Sequence, residues 1–406
     1  MKKWHRAVVC VLLIVLLFAA LPGWAAEYSR LSEGDQGKKT LALRQRLYDL
    51  GYLNTFKKGD VKYTAEVSQA VRDFERLNGL KETGIAAEDV QRLMFSADAV
   101  AQETPEKRTF YELEPSKGPS KKVQLPQRDA EGYLPAGAAP FVYADRDDGQ
   151  WIYLSDTLQI EIAKYYQSAN KIEWFEAHVT MREGEKPYSI LSKRNGRTFQ
   201  APPELAQEHG AVLAITDDFF GYRVNNKKTV GIVVRDGKII SDRTRPHNRI
   251  NLQPMEVLAL FEDGGMRTFN SDVHTAQEYL DMGVTDTWAF GPVLVQGGLV
   301  PRYYYSKEYH SYREPRLVVG MVEKGKYVAM LVTGRREDSR GAYFKWLAEK
   351  MQALGCTEAI SLDGGNTVAM VFMGDMINRS KTVKSRSVRK VSGLIAFGQG
   401  ADMPSK

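Results

Sequence analysis

Five short polar clusters, each beside a glycine and each at the end of an apolar run, hold the residues able to do chemistry. Thr216-Asp217-Asp218-Phe219-Phe220-Gly221 follows Ala211-Val212-Leu213-Ala214-Ile215. Phe290-Gly291-Pro292-Val293-Leu294 and Pro315-Arg316-Leu317-Val318-Val319-Gly320 come next, then Thr333-Gly334-Arg335 after Val328–Val332. The last is Leu362-Asp363-Gly364-Gly365-Asn366-Thr367. Polar side chains at strand ends next to glycine are where a ligand can approach the backbone closely. Arginines grip anions through planar, two-pronged contacts, and carboxylates stabilise positive charge or serve as a base for water.

Each cluster also has a plain structural reading. Asp363 before Gly364-Gly365 suits a tight turn, and the glycines suit a strand-to-strand connection. Asp217 beside Asp218 suits a metal pair, with no third ligand at a fixed spacing. Tyr303-Tyr304-Tyr305 suits either sugar stacking or packing. His178, His209, His247, His274 and His310 are scattered, and no H-E-x-x-H, G-x-S-x-G or phosphate-cradling glycine loop is present. Cys356, after a helix-ending glycine, reads as small packing rather than a nucleophile.

The elements that must position these residues follow from length and pattern. The chain has 406 residues, 43% hydrophobic and 26% charged, enough for two folded units with connecting segments. Lys2, Lys3 and Arg6 precede an uncharged run, Ala7 to Leu21, broken by Pro22-Gly23 and followed by Trp24-Ala25-Ala26. That is a secretory signal pattern over 1–25, too short for a permanent membrane anchor. Without it the net charge falls from +6 to near +3, which argues against nucleic acid as a partner and permits anionic wall polymers. The exported chain keeps one cysteine, so an intrachain disulfide and a cysteine-based metal site are both excluded.

Residues 28–96 read as a small three-helix domain. Thr40, Leu43, Leu47 and Leu50 form one helical stripe ended by Gly51; Val67, Ala70, Val71 and Phe74 form a second ended by Asn78-Gly79; Val90, Leu93 and Met94 lie on a short third helix. Residues 97–140 hold six prolines and little apolar periodicity and read as a partly extended, flexible linker, with Phe110-Tyr111 as a docking pair. Residues 141–406 alternate short β-branched runs with glycine turns: an α+β, strand-rich domain. Asp236-Gly237 predicts a hairpin turn, and Tyr343 to Leu354 the clearest helix.

The first block, with Gly34-Asp35-x-Gly37, Leu50-Gly51-Tyr52-Leu53, Tyr63-Thr64, Ala70-Val71-x-x-Phe74, Gly79-Leu80 and Thr83-Gly84, resembles the three-helix peptidoglycan-binding modules of wall hydrolases. Thr40 and Arg44 depart from that pattern. The resemblance implies peptidoglycan as a partner, with Tyr52, Tyr63 and Arg72 as exposed candidates for its contacts.

The five clusters, closed by Arg386-Ser387-Val388 and Val391, resemble in order and spacing the phosphodiester glycosidases, the N-acetylglucosamine-1-phosphodiester alpha-N-acetylglucosaminidase family in its bacterial exopolysaccharide-type branch. Thr216, Asp217, Leu317 and Thr333 depart from that branch. The resemblance implies a multidomain protein with a catalytic strand-rich domain that cleaves a sugar C1–O bond to phosphate. It implies Asp218, Asp363, Arg316 and Arg335 as catalytic residues and Thr216, Gly291, Gly364, Gly365, Asn366 and Thr367 as substrate contacts. A phosphate leaves far more readily than an alcohol, so protonating the leaving oxygen matters less than gripping the phosphodiester and stabilising charge at C1. The resemblance makes no cofactor certain, and a divalent metal stays open. The expected setting is the secreted, envelope-associated space, and the expected substrate a glycosyl-phosphate wall or capsular polymer. The alternative is a catalytically degenerate carbohydrate-binding or scaffold protein.

Overall fold

The computed structural model describes residues 27–102, 116–196, 198–217, 231–243, 255–270, 273–305, 312–378 and 389–400. The signal pattern, Phe110-Tyr111 and Arg386–Val388 lie outside the described residues. Among the described residues no helix is long and apolar enough to cross a membrane.

Among the described residues three helices come first: α1 (Lys38–Asp49), α2 (Ala65–Leu77) and α3 (Glu88–Met94). Their stripes meet in one core of Leu43, Leu47, Leu50, Val67, Val71, Phe74 and Met94. Tyr52 and Tyr63 belong to that core rather than to the surface, 7% and 2% exposed. Their hydroxyls donate to the carbonyls of Val100 (2.6 Å) and Gly84 (2.8 Å). A buried phenol needs such an acceptor, and both find one on the module's own backbone. They are therefore not available as exposed wall contacts.

Among the described residues eighteen strands follow. They are β1 (Phe141–Asp145), β2 (Gln150–Leu154), β3 (Leu158–Gln167), β4 (Ile172–Met181), β5 (Tyr188–Leu191), β6 (Ala211–Thr216), β7 (Gly231–Arg235), β8 (Lys238–Arg243) and β9 (Glu256–Phe261). Then come β10 (Met266–Phe269), β11 (Val284–Phe290), β12 (Val293–Gln296), β13 (Arg316–Glu323), β14 (Lys326–Val332), β15 (Glu358–Leu362), β16 (Met370–Phe372), β17 (Asp375–Met376) and β18 (Gly393–Gln399). An eight-stranded sheet runs β1-β2-β3-β4-β14-β13-β15-β12, a five-stranded sheet β17-β16-β6-β18-β5, a three-stranded sheet β10-β9-β11, and β7 pairs with β8. Asp236 and Gly237, both at positive φ, turn β7 into β8.

Period-two alternation sorts the side chains. Leu317, Val319, Ala329 and Leu331 face a central core with Leu213 and Ile215 of β6, Leu258 and Leu260 of β9, and Trp288 of β11. Their neighbours Val318, Val328, Met330 and Val332 face outward, under Leu347, Ala348 and Met351 of the helix Phe344–Ala353. The helices Pro202–Glu208 and Ala276–Asp281 cover the outer faces of β6 and β9 in the same way.

Residues 116–140, read as flexible linker, lie against the strands. Lys117 bridges Tyr166 of β3, and Val123 and Leu125 pack with Leu134, Ile152 and Leu154. The few apolar residues in this proline-rich stretch thus find partners on the β1–β3 surface. The helical module is docked as well. Arg46 of α1 is 1% exposed and donates to the carbonyls of Met94 (2.7 Å) and Ser96 (3.0 Å) in the module. It also donates to those of Gln296 (2.7 Å) and Gly297 (3.3 Å) just past β12. Glu27 pairs with Arg267 at 2.7 Å, Lys39 with Glu278 at 3.3 Å, and the backbone N–H of Arg302 donates to Asp49 at 2.7 Å.

Candidate active site

Register brings the clusters to one rim. β15 ends at Leu362, opposite Leu317 of β13; Arg316 stands opposite Val332 at the end of β14; Val293 of β12 stands opposite Ile360. The polar residues that follow or precede these positions share that edge because antiparallel neighbours put one strand's end beside the next strand's start.

Asp363 leaves β15, and its Oδ1 accepts the Gly364 N–H at 3.0 Å. Gly364 and Gly365 are demanded by closeness and conformation. A β-carbon on Gly364 would lie 2.7 Å from the Pro315 carbonyl oxygen, and Gly365 has φ +64°. The Gly365 N–H donates to that same carbonyl at 2.9 Å, and a 3-10 turn, Gly365–Thr367, follows. Asp363 is thus a turn aspartate that stands at this rim.

Three arginines stand around this turn. Arg335, at φ +59°, donates from Nε to Glu314 (2.6 Å) and from Nη1 to Asn366 Oδ1 (3.2 Å). Its side chain is 51% exposed. A positive φ at a non-glycine residue is strained, which suits a side chain aimed by its surroundings. Arg316 starts β13, lays its guanidinium 3.9 Å over the Phe344 ring and donates to the Tyr312 carbonyl at 2.8 Å. Arg389 donates to the buried Thr367 hydroxyl at 3.0 Å. Sequence reasoning missed Arg389, although it stands within the stretch from Arg386 to Val391 whose other residues were noticed.

Not every expected residue joins them. Asp218 and His247 lie outside the described residues. Thr216 is 1% exposed and its hydroxyl accepts the Ala369 N–H at 3.3 Å, tying β6 to the start of β16. Asp217 is buried and pairs with Arg235 at 3.3 Å, and Arg235 also donates to the Thr287 carbonyl. That pairing gives Asp217 an arginine partner in place of the metal pair suggested by its neighbour. Among the described residues no three histidine, cysteine, aspartate or glutamate side chains gather as metal ligands. Thr333 turns its hydroxyl to Glu173 (3.1 Å) and Ser339 (2.9 Å), and Glu173 also holds Arg336 at 3.1 Å. An aspartate at 333 would put a second carboxylate beside Glu173. Tyr303 and Tyr304 both donate to the Val293 carbonyl, at 3.1 and 2.7 Å, and so pack. Cys356 is buried, and burial pushes its thiol up to about 12, as packing requires.

One further carboxyl belongs to the rim. Glu256 starts β9 opposite Phe290, so it flanks Gly291, and a β-carbon there would lie 3.3 Å from Glu256 Oε2. Glu256 accepts the Val293 N–H. Gly291 joins Pro292 by a cis bond and donates to the Ser361 carbonyl at 3.1 Å, two residues before Asp363. Burial raises Glu256 to about 7, outweighing the Val293 bond and the Lys58 charge. No glycine marks Glu256 in the sequence. Only the β9–β11 register reveals its place.

The phosphodiester glycosidase family model matches residues 209–397, and a peptidoglycan binding domain model matches residues 36–94. The SPbeta prophage-derived uncharacterized protein YomE of Bacillus subtilis (strain 168) is 25% identical over 235 residues, 53% of this chain and 35% of that protein. The chain thus spans about a third of that curated relative's length. The zebrafish N-acetylglucosamine-1-phosphodiester alpha-N-acetylglucosaminidase catalytic domain, auto-inhibited by its pro-peptide, aligns at a TM-score of 0.48 and 16% identity, over 61% of this chain and 85% of that one. A hypothetical protein from Synechocystis aligns at 0.43 and 14%, over 60% and 62%. Residues 209–397 carry a phosphodiester glycosidase domain, and residues 36–94 a peptidoglycan-binding domain ahead of it.

Proposed function

We propose that this chain is an exported, wall-associated hydrolase that cleaves a glycosyl phosphodiester to free sugar and a phosphomonoester. The carrying observation is the gathering of Arg335, Arg389 and the Asp363–Thr367 turn at one rim, with Arg316 at its edge. The arginines would hold the phosphate oxygens, exchanging Asn366 and Thr367 for stronger anionic acceptors. The Asp363 carboxylate would stabilise positive charge developing at C1. Glu256, with an ionisation near neutrality, suits proton transfer with the attacking water. Asp218, from the sequence resemblance, completes the proposed catalytic set.

The test is release of free sugar from UDP-sugars and from an aryl N-acetylglucosaminyl phosphodiester, with and without chelator, beside Asp363→Asn. Turnover by the parent that falls at least about 10²-fold in the variant supports the reading. The Thr333–Glu173–Ser339 network, standing where the family pattern has aspartate, favours a second reading: a carbohydrate-binding scaffold. No turnover by the parent, with isolated wall sacculi still bound, would move the assignment there.

A further inference from the structure

The helical module reaches the rim of the candidate site. Arg302 gives its backbone N–H to Asp49 (2.7 Å) and its Nη1 to the Tyr48 carbonyl (2.9 Å), and its guanidinium lies 4.9 Å above the Tyr48 ring. On its other side Tyr48 stacks with Phe56, at 6.1 Å between centroids. The next residues after Arg302, Tyr303 and Tyr304, hold the Val293 carbonyl, and the Val293 N–H is held by Glu256. An unbroken line of contacts therefore runs from the module's loop 54–59, through Phe56, Tyr48 and the 3-10 turn Arg302–Tyr305, to Glu256 beside Gly291. Within that loop Lys57 and Lys58 are exposed. The one acid next to them, Asp60, is committed to the buried Arg44 at 2.5 Å. The positive charge of the loop is thus not cancelled locally, and the Lys58 charge is felt at the Glu256 carboxyl.

We infer that the loop 54–59 of the peptidoglycan-binding module is the cationic rim of the hydrolase site, where Lys57 and Lys58 hold a second phosphate of an anionic, phosphate-rich glycan while the first sits at Arg335 and Arg389. The inference rests on the glycosidase reading for the identity of the first phosphate. It makes the module a part of substrate recognition instead of a tether alone. The docked interface is consistent with this arrangement, because Arg46 bonds the module to the end of β12 and Arg302 bonds the 3-10 turn to Asp49. A compact ammonium on a flexible stem suits a phosphate whose position varies along a polymer, whereas the arginines suit the one that must be placed.

The test uses the whole exported chain carrying Asp363→Asn, so that binding is read without turnover. The probes are UDP-N-acetylglucosamine, with two phosphates, and the methyl phosphodiester of N-acetylglucosamine, with one. Lys57→Glu combined with Lys58→Glu weakens binding of the two-phosphate probe about tenfold and of the one-phosphate probe about twofold, and the difference shrinks at high salt. Lys81→Glu, an equal charge change on another exposed part of the module, leaves both unchanged. Equal effects on the two probes, an equal effect of Lys81→Glu, or no binding of either probe to the parent overturns the inference. Turnover of the same probes by the Asp363 chain is measured in parallel. Lysine-dependent binding without any turnover would sink the glycosidase reading and keep the rim. Turnover with lysine-independent binding does the reverse.

Discussion

Arg46, at the seam between the helical module and the strand-rich domain, is 1% exposed and gives its N–H groups to four backbone carbonyls. Arg335, at the rim, has a side chain 51% exposed and gives its N–H groups to two side chains, Glu314 and Asn366. The carbonyls at the seam cannot leave, since two belong to the module and two to the end of β12 and the residue after it. At the rim the Asn366 contact can be exchanged, since an incoming phosphate offers better acceptors than an amide, while Glu314 keeps the guanidinium aimed. A guanidinium saturated by fixed backbone holds structure together. On the proposed function, one held by side chains at an open edge is kept in position for a ligand.

Substituting both arginines alike sharpens this contrast, and the larger effect belongs to the rim. Arg335→Met is expected to lower kcat/KM on a glycosyl phosphodiester about 10²–10³-fold, the range for removing a donor to developing charge. Its unfolding free energy should change by less than about 1 kcal/mol, because its ion pair is largely exposed. Steady-state kinetics beside urea unfolding would show both, and equal losses in the two measurements would break the distinction. Arg46→Met is expected to do the opposite, costing about 3 kcal/mol by leaving buried carbonyls without donors. Because those carbonyls lie on both units, its urea transition should separate into two steps where the parent shows one. A single unshifted transition would mean that the seam does not couple the units.

The same contrast explains what the sequence could reveal. The three helices were readable because Leu43, Leu47, Val71 and Phe74 repeat at helical spacing and bury. The helix Phe344–Ala353 and the Asp236-Gly237 turn were readable from local signals, a terminal glycine and a turn dipeptide. Arg335 and Asp363 stood out because a glycine stands beside each, and Arg316 because its cluster closes on Gly320. Glu256 and Arg389 have no such local mark; strand register and a long return of the chain put them in place. Tyr52 and Tyr63 misled because an aromatic after a glycine or before a threonine suits a surface as well as a core. Arg46 has no local mark either, because the helix face that carries it is covered by a domain distant in sequence.

A last and smaller effect separates the two regions by pH. Glu358 starts β15 near the seam, 4% exposed, accepting from the Thr268 N–H (2.8 Å), the Thr268 hydroxyl (2.6 Å) and the Gly297 N–H (3.0 Å). Burial raises it from 4.5 to about 7 despite those donors. The unfolded chain therefore releases this proton at a lower pH than the folded one. Between pH 4.5 and 7 the folded state binds more protons at this group, so stability falls as pH rises through that window and levels off above it. His274, lowered to about 4 by burial, works the other way, losing stability as pH falls below its ordinary range. A raw pH profile would mix the two, so the difference between parent and Glu358→Gln is the quantity to follow. That variant loses a carboxylate oxygen at every pH, a constant offset, but it has no proton to release. The parent's stability relative to the variant should therefore decline by roughly 2 kcal/mol from pH 4.5 to 7.5, measured by urea unfolding at fixed ionic strength. A rise in that difference would mean that the Thr268 and Gly297 donors win over burial, and that the seam is held by a charged Glu358 rather than a neutral one.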